Sequence, residues 1–109
     1  MNGGRATKCL VAGAAFVLLP FAPETGTAAG DRALGEYLSS ECVTCHQISG
    51  RHQGIPPIIG WPEASFIEIM DEYRTKKRAN PVMQTIAGKF SSDDVAALAA
   101  YFGSLKPKN

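Results

Sequence analysis

The sequence predicts a small all-α domain behind an N-terminal export segment. Three observations carry this reading. Apolar side chains recur at helical spacing in three separate stretches, and no run alternates with period two as a strand would. An unbroken apolar run near the N-terminus is followed by small residues rather than by a helix-length continuation.

The N-terminal segment reads as a secretory signal peptide. Arg5 and Lys8 form a short basic stretch, Cys9 to Leu19 is continuously apolar, and Pro20 to Pro23 end the run. Thr27-Ala28-Ala29 places small residues at the −3 and −1 positions of a cleavage site. The apolar run has 11 residues, against about 20 for a membrane-spanning helix. The expected organisation is therefore a signal peptide over residues 1–29 and a domain over residues 30–109. The domain would be exported to the periplasm, with no stable membrane insertion after cleavage near Ala29. An uncleaved anchor is the competing reading of the same stretch. Cleavage leaves 80 residues, 109 less 29. It removes Arg5, Lys8 and Glu24, so nine basic side chains face nine acidic ones (11 less two, 10 less one). A neutral domain has little long-range steering, and nucleic acid is not an expected partner.

The elements follow in order. Asp31 to Glu41 reads as a helix, with Ala33, Leu34, Tyr37 and Leu38 at helical spacing and Asp31 at its start. Ser49 to Pro62 holds Gly50, Gly54, Pro56, Pro57, Gly60 and Pro62, too many breakers for a regular element. Ile55, Ile58, Ile59 and Trp61 interleave with them, so this loop must press on something hydrophobic. Pro62 to Arg74 reads as a second helix with Phe66, Ile67, Met70 and Tyr73 as its stripe. Arg74, Lys76, Lys77 and Arg78 follow, cations that suit a solvated helix C-terminus; a docking patch is the functional alternative. Ala79 to Phe90 reads as a loop opened by the Asn80-Pro81 turn signal. Ser91 to Ser104 reads as the last helix, opened by a Ser91-x-x-Asp94 capping box and buried through Val95, Leu98, Ala99, Phe102 and Leu105. Ala96, Ala97 and Ala100 would permit close helix approach.

The chemistry lies in Cys42-Val43-Thr44-Cys45-His46. Two cysteines separated by two residues and followed at once by histidine form an attachment site for c-type haem. Each thiol adds to one haem vinyl group, and His46 then reaches the iron from one face. Cys9 would leave with the signal peptide, so Cys42 and Cys45 are the cysteines that remain. A disulfide between them is one rival in an exported protein. A thioredoxin-like pair needs a βαβ setting, and no strand-like run precedes Cys42. A zinc site would need more than Cys42, Cys45, His46 and His52 easily give. A covalent haem would also supply the staple that so small a domain needs. The following loop can offer a backbone carbonyl to the second ring nitrogen of His46, which fixes the tautomer.

His46 leaves one axial position open, for which His52, Met70 and Met83 compete. His52 follows His46 by six residues, a reach of at most about 20 Å, which leaves little chain to round a macrocycle. Met70 sits within the second helix's stripe, where methionine usually fills core. Met83 lies far along the chain behind Asn80-Pro81 and is the favoured ligand. His/Met ligation raises the potential and closes both axial sites. A closed iron transfers electrons and binds no substrate.

At this point the chain resembles the class I c-type cytochromes of the small bacterial c553/c4 kind. The likeness runs over the whole segment after the signal peptide. It rests on Cys42 to His46, on Ile55-Pro56-Pro57-Ile58-Ile59-Gly60, on Arg78 to Met83, and on Phe90 to Phe102. The resemblance implies a small class I cytochrome c fold, about three to four helices wrapped around one covalent haem with His/Met ligation. It implies Met83 as distal ligand and Pro56, or else Pro57, as the carbonyl that accepts from His46. The stretch Pro62 to Arg74 is also similar to the cytochrome subunit of flavocytochrome c sulfide dehydrogenases. One departure is Gln47, where many such proteins carry glycine.

Three functions are then to be weighed. The first is a periplasmic monohaem carrier of single electrons through His46 and Met83, with Cys42, Cys45, His46, Pro56 and Met83 as the haem-binding residues and no catalytic residue. Its partners would be redox proteins: a flavoprotein or molybdoenzyme dehydrogenase, or a terminal oxidase. The second is an electron-transfer subunit of a dehydrogenase with a flavin or molybdenum partner, itself non-catalytic. It needs an apolar patch beside the haem edge, for which Trp61 and Ile58-Ile59 are candidates, with core packing the equal alternative for these residues. The third is a five-coordinate haem sensor or peroxidase-like enzyme, which requires Met83 to be off the iron.

Overall fold

The computed structural model describes residues 3–4, 10, 12–17 and 30–108, so most of the expected signal peptide lies outside the described residues. Five helices follow in order: α1 Arg32–Leu38, α2 Ser40–Val43, α3 Glu63–Arg74, α4 Pro81–Ala87 and α5 Ser92–Ser104. The described residues contain no strand, and no helix among them is long and apolar enough to cross a membrane.

The first predicted helix is present but broken. Asp31 caps it, its carboxylate accepting from the Ala33 and Leu34 amides at 3.0 and 3.1 Å. At Ser39 the amide is shared between the carbonyls of Gly35 (2.9 Å) and Glu36 (3.3 Å), while the hydroxyl also donates to Glu36 at 2.6 Å. One turn tightens there and the chain restarts as α2, which separates α1 from α2 by a single residue.

The inward face of α1 is not the one hydropathy suggests. Tyr37 is 79% exposed and Leu34 37%, and Ala33 is exposed as well. Gly35, Ser39 and Cys42 are buried instead, with Leu38 partly so. The reason is the crossing with α5. A Cβ on Gly35 would collide with the Ala97 carbonyl and lie 2.8 Å from the Tyr101 Cβ. Backbones this close exclude any side chain at the crossing, so the large residues turn outward. Ala97 is buried at the same contact, in line with the close approach expected of the α5 alanines.

Helix α5 is buried on nearly every side, because α1 crosses one face and α3 the other. Val95, Leu98, Ala99 and Phe102 lie in the core as expected, and Leu105 packs against its edge. Phe66 of α3 stacks on Phe102 with centroids 5.8 Å apart. The capping box is reciprocal: the Asp94 amide donates to the Ser91 hydroxyl oxygen at 3.1 Å, and the Ser91 amide donates to the Asp94 carboxylate at 2.9 Å.

Phe66 and Met70 bury the stripe of α3, whereas Ile67 is 38% exposed. The helix stops through Lys76, whose φ of 60° is left-handed. The Lys76 amide donates to the Tyr73 carbonyl at 3.1 Å and the Lys77 amide to that of Glu72 at 2.8 Å, a paired closure usually made with glycine. The cationic run is partly engaged: Arg78 donates to Glu72 at 2.8 Å and lies 5.7 Å from the Tyr73 ring centre, and Arg74 donates to the Ser92 hydroxyl at 3.3 Å.

The loop reading of residues 79–90 is corrected by α4. Asn80 accepts from the Met83 amide at 3.0 Å and Pro81 occupies the first helical position. Pro81 has no amide to leave unsatisfied and its φ suits a first turn, so the same dipeptide that breaks a chain starts a helix here. The loop before α3 has no regular structure, as expected; Ile58 and Ile59 are buried in the core, and the Gly60 amide donates to the Phe102 carbonyl at 2.8 Å.

Replacing Gly35 by alanine should cost about 1–3 kcal/mol, the usual penalty for forcing atoms into a packed contact; the drop in denaturation midpoint measures it. A second check uses pH. Hydrogen bonds from the Ser91 amide and hydroxyl hold the Asp94 carboxyl below its ordinary value of 3.8. Its stabilising effect is therefore present above that value and fades as pH falls through it. The difference in melting temperature between wild type and Asp94→Ala should be widest at neutral pH and should narrow on acidification.

Candidate functional site

The turn after α2 carries the motif. The amides of Cys45 and His46 donate to the Cys42 carbonyl at 3.1 and 2.8 Å, so helical winding continues past Val43. Residues three apart on such a turn share a side, and Cys42 and Cys45 border the same cavity. Their thiols are not bonded to each other; Cys42 is buried and Cys45 exposed. Burial pushes the Cys42 thiol up to about 11, with the neighbouring Glu41 carboxylate adding to the shift. Among the described residues, no three His, Cys, Asp or Glu side chains gather as metal ligands would.

His46 Nδ1 lies 2.6 Å from the Pro56 carbonyl oxygen. A carbonyl can only accept, so Nδ1 carries the proton and Nε2 keeps its lone pair for a metal. The carbonyl is that of Pro56 and not of Pro57.

These residues border an open-mouthed apolar cavity. Glu41, Cys42, Cys45 and His46 form one side; Pro56, Ile58 and Trp61 come from the loop; Phe66, Ile69, Met70 and Tyr73 come from α3; and Val82, Met83 and Ile86 come from α4. A second hollow shares Cys45, His46, Pro56, Tyr73, Val82 and Met83 with the first. Met83 and His46 thus border both spaces, whereas Met70 borders the first alone and is 4% exposed in the core. His52 is exposed and borders neither.

The structure adds wall residues that sequence reading passed over. Ile69 and Tyr73 sit on α3, whose stripe reads as plain core. Val82 and Ile86 sit on α4, and their spacing of four residues with Met83 between was the available signal. Of the two readings of Ile58, Ile59 and Trp61, surface patch or core, the structure shows core: the isoleucines are buried and Trp61 partly so. Val82, 67% exposed, and Ile55, 40% exposed, are the apolar side chains showing at the cavity margin.

The fit to a haem is good on these observations: two thiols one turn apart, an imidazole with one nitrogen already engaged, and apolar walls around one shared space. A helical scaffold of this kind is suited to hold a covalent cofactor between its walls.

Comparison with known proteins agrees. The family model for cytochrome c matches residues 33–106, and the chain belongs to that family. It is 30% identical over 76 residues to the cytochrome subunit of sulfide dehydrogenase from Chlorobaculum tepidum, covering 69% of each chain. It is 36% identical over 83 residues to cytochrome c-554(548) from Halomonas halodenitrificans, covering 70% of this chain and 98% of that one. Cytochrome c4 from Pseudomonas aeruginosa is 32% identical over 81 residues, 72% of this chain and 40% of the relative's own length. The fold is that of a class I cytochrome, the cofactor is covalently bound haem c, and the protein is an electron-carrying cytochrome that works with redox partner proteins.

Asn80 links the helix start to the cavity, because its carboxamide holds the amide of Met83 itself. Asn80→Ala should destabilise the protein by about 1 kcal/mol, the typical value of an N-cap, read from thermal unfolding.

Proposed function

We propose that the chain is a periplasmic monohaem carrier of single electrons. In this reading the segment 1–29 exports it and is cut near Ala29. Cys42 and Cys45 hold the haem through thioethers, His46 Nε2 is the proximal ligand, and Met83 is the distal one. The observation that carries the reading is the His46 Nδ1–Pro56 contact of 2.6 Å, on a cavity that Met83 also borders. It orients the ring and raises the donor strength of Nε2 before any iron arrives.

The haem, when bound, supplies a one-electron couple between ferrous and ferric iron. The chain's residues do the rest. Cys42 and Cys45 fix the cofactor against loss. Phe66, Ile69, Met70 and Trp61 keep water from one side and lower the local dielectric. Met83 approaches from α4, and Asn80 sets the start of that helix. With both axial positions taken there is no place for a substrate, which disfavours the sensor or peroxidase-like alternative.

The subunit reading rests on a different observation, the 30% identity to the cytochrome subunit of sulfide dehydrogenase. Under it, Val82 and Ile55 would meet a flavin or molybdenum partner at the cavity margin. Co-purification from the native host separates a bound subunit from a free carrier. For the ligand set, Met83→Ala should abolish the sulfur-to-iron charge-transfer band of the oxidised protein while the haem stays covalently attached. A band that survives the substitution removes Met83 from the iron.

A further inference from the structure

We propose that the pair Glu41–Lys89 sets the reduction potential of the haem, with Glu41 as the charge on the cavity wall and Lys89 as its neutraliser. The inference rests on the haem lying in the cavity described above.

Among the described residues that line either hollow, Glu41 is the only carboxylate. It precedes Cys42 directly and belongs to α2. Lys89 follows α4 and does not line either space, yet its ammonium donates to Glu41 Oε2 at 2.9 Å across 48 residues of sequence. The two charges therefore act on the cavity unequally: the carboxylate is on the wall and the ammonium stands behind it.

Oxidation of the haem adds one positive charge to the cavity. A carboxylate on the wall favours the oxidised form, and an ammonium bound to that carboxylate cancels much of the preference. Lys89 and Glu41 side chains are 52% and 48% exposed, so salt screens the action of both charges on the cavity, with a Debye length of about 10 Å at 0.1 M. The pair is worth little as a contributor to stability. Its effect is on the electron's free energy, through where the two charges sit.

The test is potentiometric titration of the haem-loaded protein and three variants, Glu41→Gln, Lys89→Gln and the exchanged pair Glu41→Lys with Lys89→Glu, with thermal unfolding read alongside. Lys89→Gln should lower the equilibrium constant for reduction roughly two- to four-fold, the effect of one charge at ~10 Å in an effective dielectric of about 40–80. Glu41→Gln should raise it by a larger factor, because the carboxylate lines the wall and the ammonium stands behind it. The exchanged pair should stay above wild type, because a cation then lines the wall, and high salt should shrink all three shifts. Unchanged potentials overturn the proposal. So does a shift in one direction for both single variants, which a loosened cavity would give. Recovery of the wild-type value by the exchanged pair also overturns it, since that is the mark of a mechanical clasp. Failure of the haem placement reads differently: Met83→Ala would then keep its charge-transfer band whatever the Glu41 variants do.

Discussion

The contact on which the rest depends is the crossing of α1 and α5 at Gly35. Two backbones meet there with no side chain between them, and Tyr101 and Ala97 close around the gap. That closeness fixes the axis of the N-terminal helix against the centre of the core. The break at Ser39 then redirects the chain, and the Cys42–His46 turn emerges at the edge of the space walled by α3 and α4. A wider crossing would carry the two thiols and the imidazole away from that space together. The burial of α5 on both faces supplies the counter-surface, with Phe102 against Phe66 continuing the same seam toward α3.

Much of this was readable from the residues, and the parts that were not have physical causes. The motif was readable because its members are neighbours in sequence, so one turn suffices to assemble them. Helices α3 and α5 were readable because their stripes are long and their ends carry chemical marks: Glu63 after Pro62, and Ser91 with Asp94. The inward face of α1 was misread because its contact is made by a glycine and a serine, residues that no hydropathy pattern assigns to a core. Helix α4 was missed because seven residues give too little periodicity to count, and because Asn80-Pro81 marks a turn and a helix start equally well. The wall roles of Tyr73 and Ile69 were hidden for another reason. A side chain facing a cofactor and one facing a neighbouring helix are equally apolar. The Glu41–Lys89 pair spans 48 residues, a distance over which charge pattern alone predicts nothing.

The composition of the cavity follows from the same constraint. A domain this small has little apolar surface to spare, and here part of it lines a space rather than a packed centre. Phe66 and Met70 serve both, being buried against α5 and bordering the cavity. The cofactor therefore completes the core as well as occupying a site within it, which ties folding and loading to one another.

Helix α4 shows what this means for the molecule's permanence. A helix of seven residues does not persist alone in water; it exists through what it leans on, chiefly α3. The α1–α5 crossing is the more extensive helix contact of the fold, and α4 the more thinly supported element. On the proposed ligation, the two sides of the site differ in what holds them: His46 is next to the anchoring Cys45 in sequence, while Met83 depends on a seven-residue helix started by Asn80.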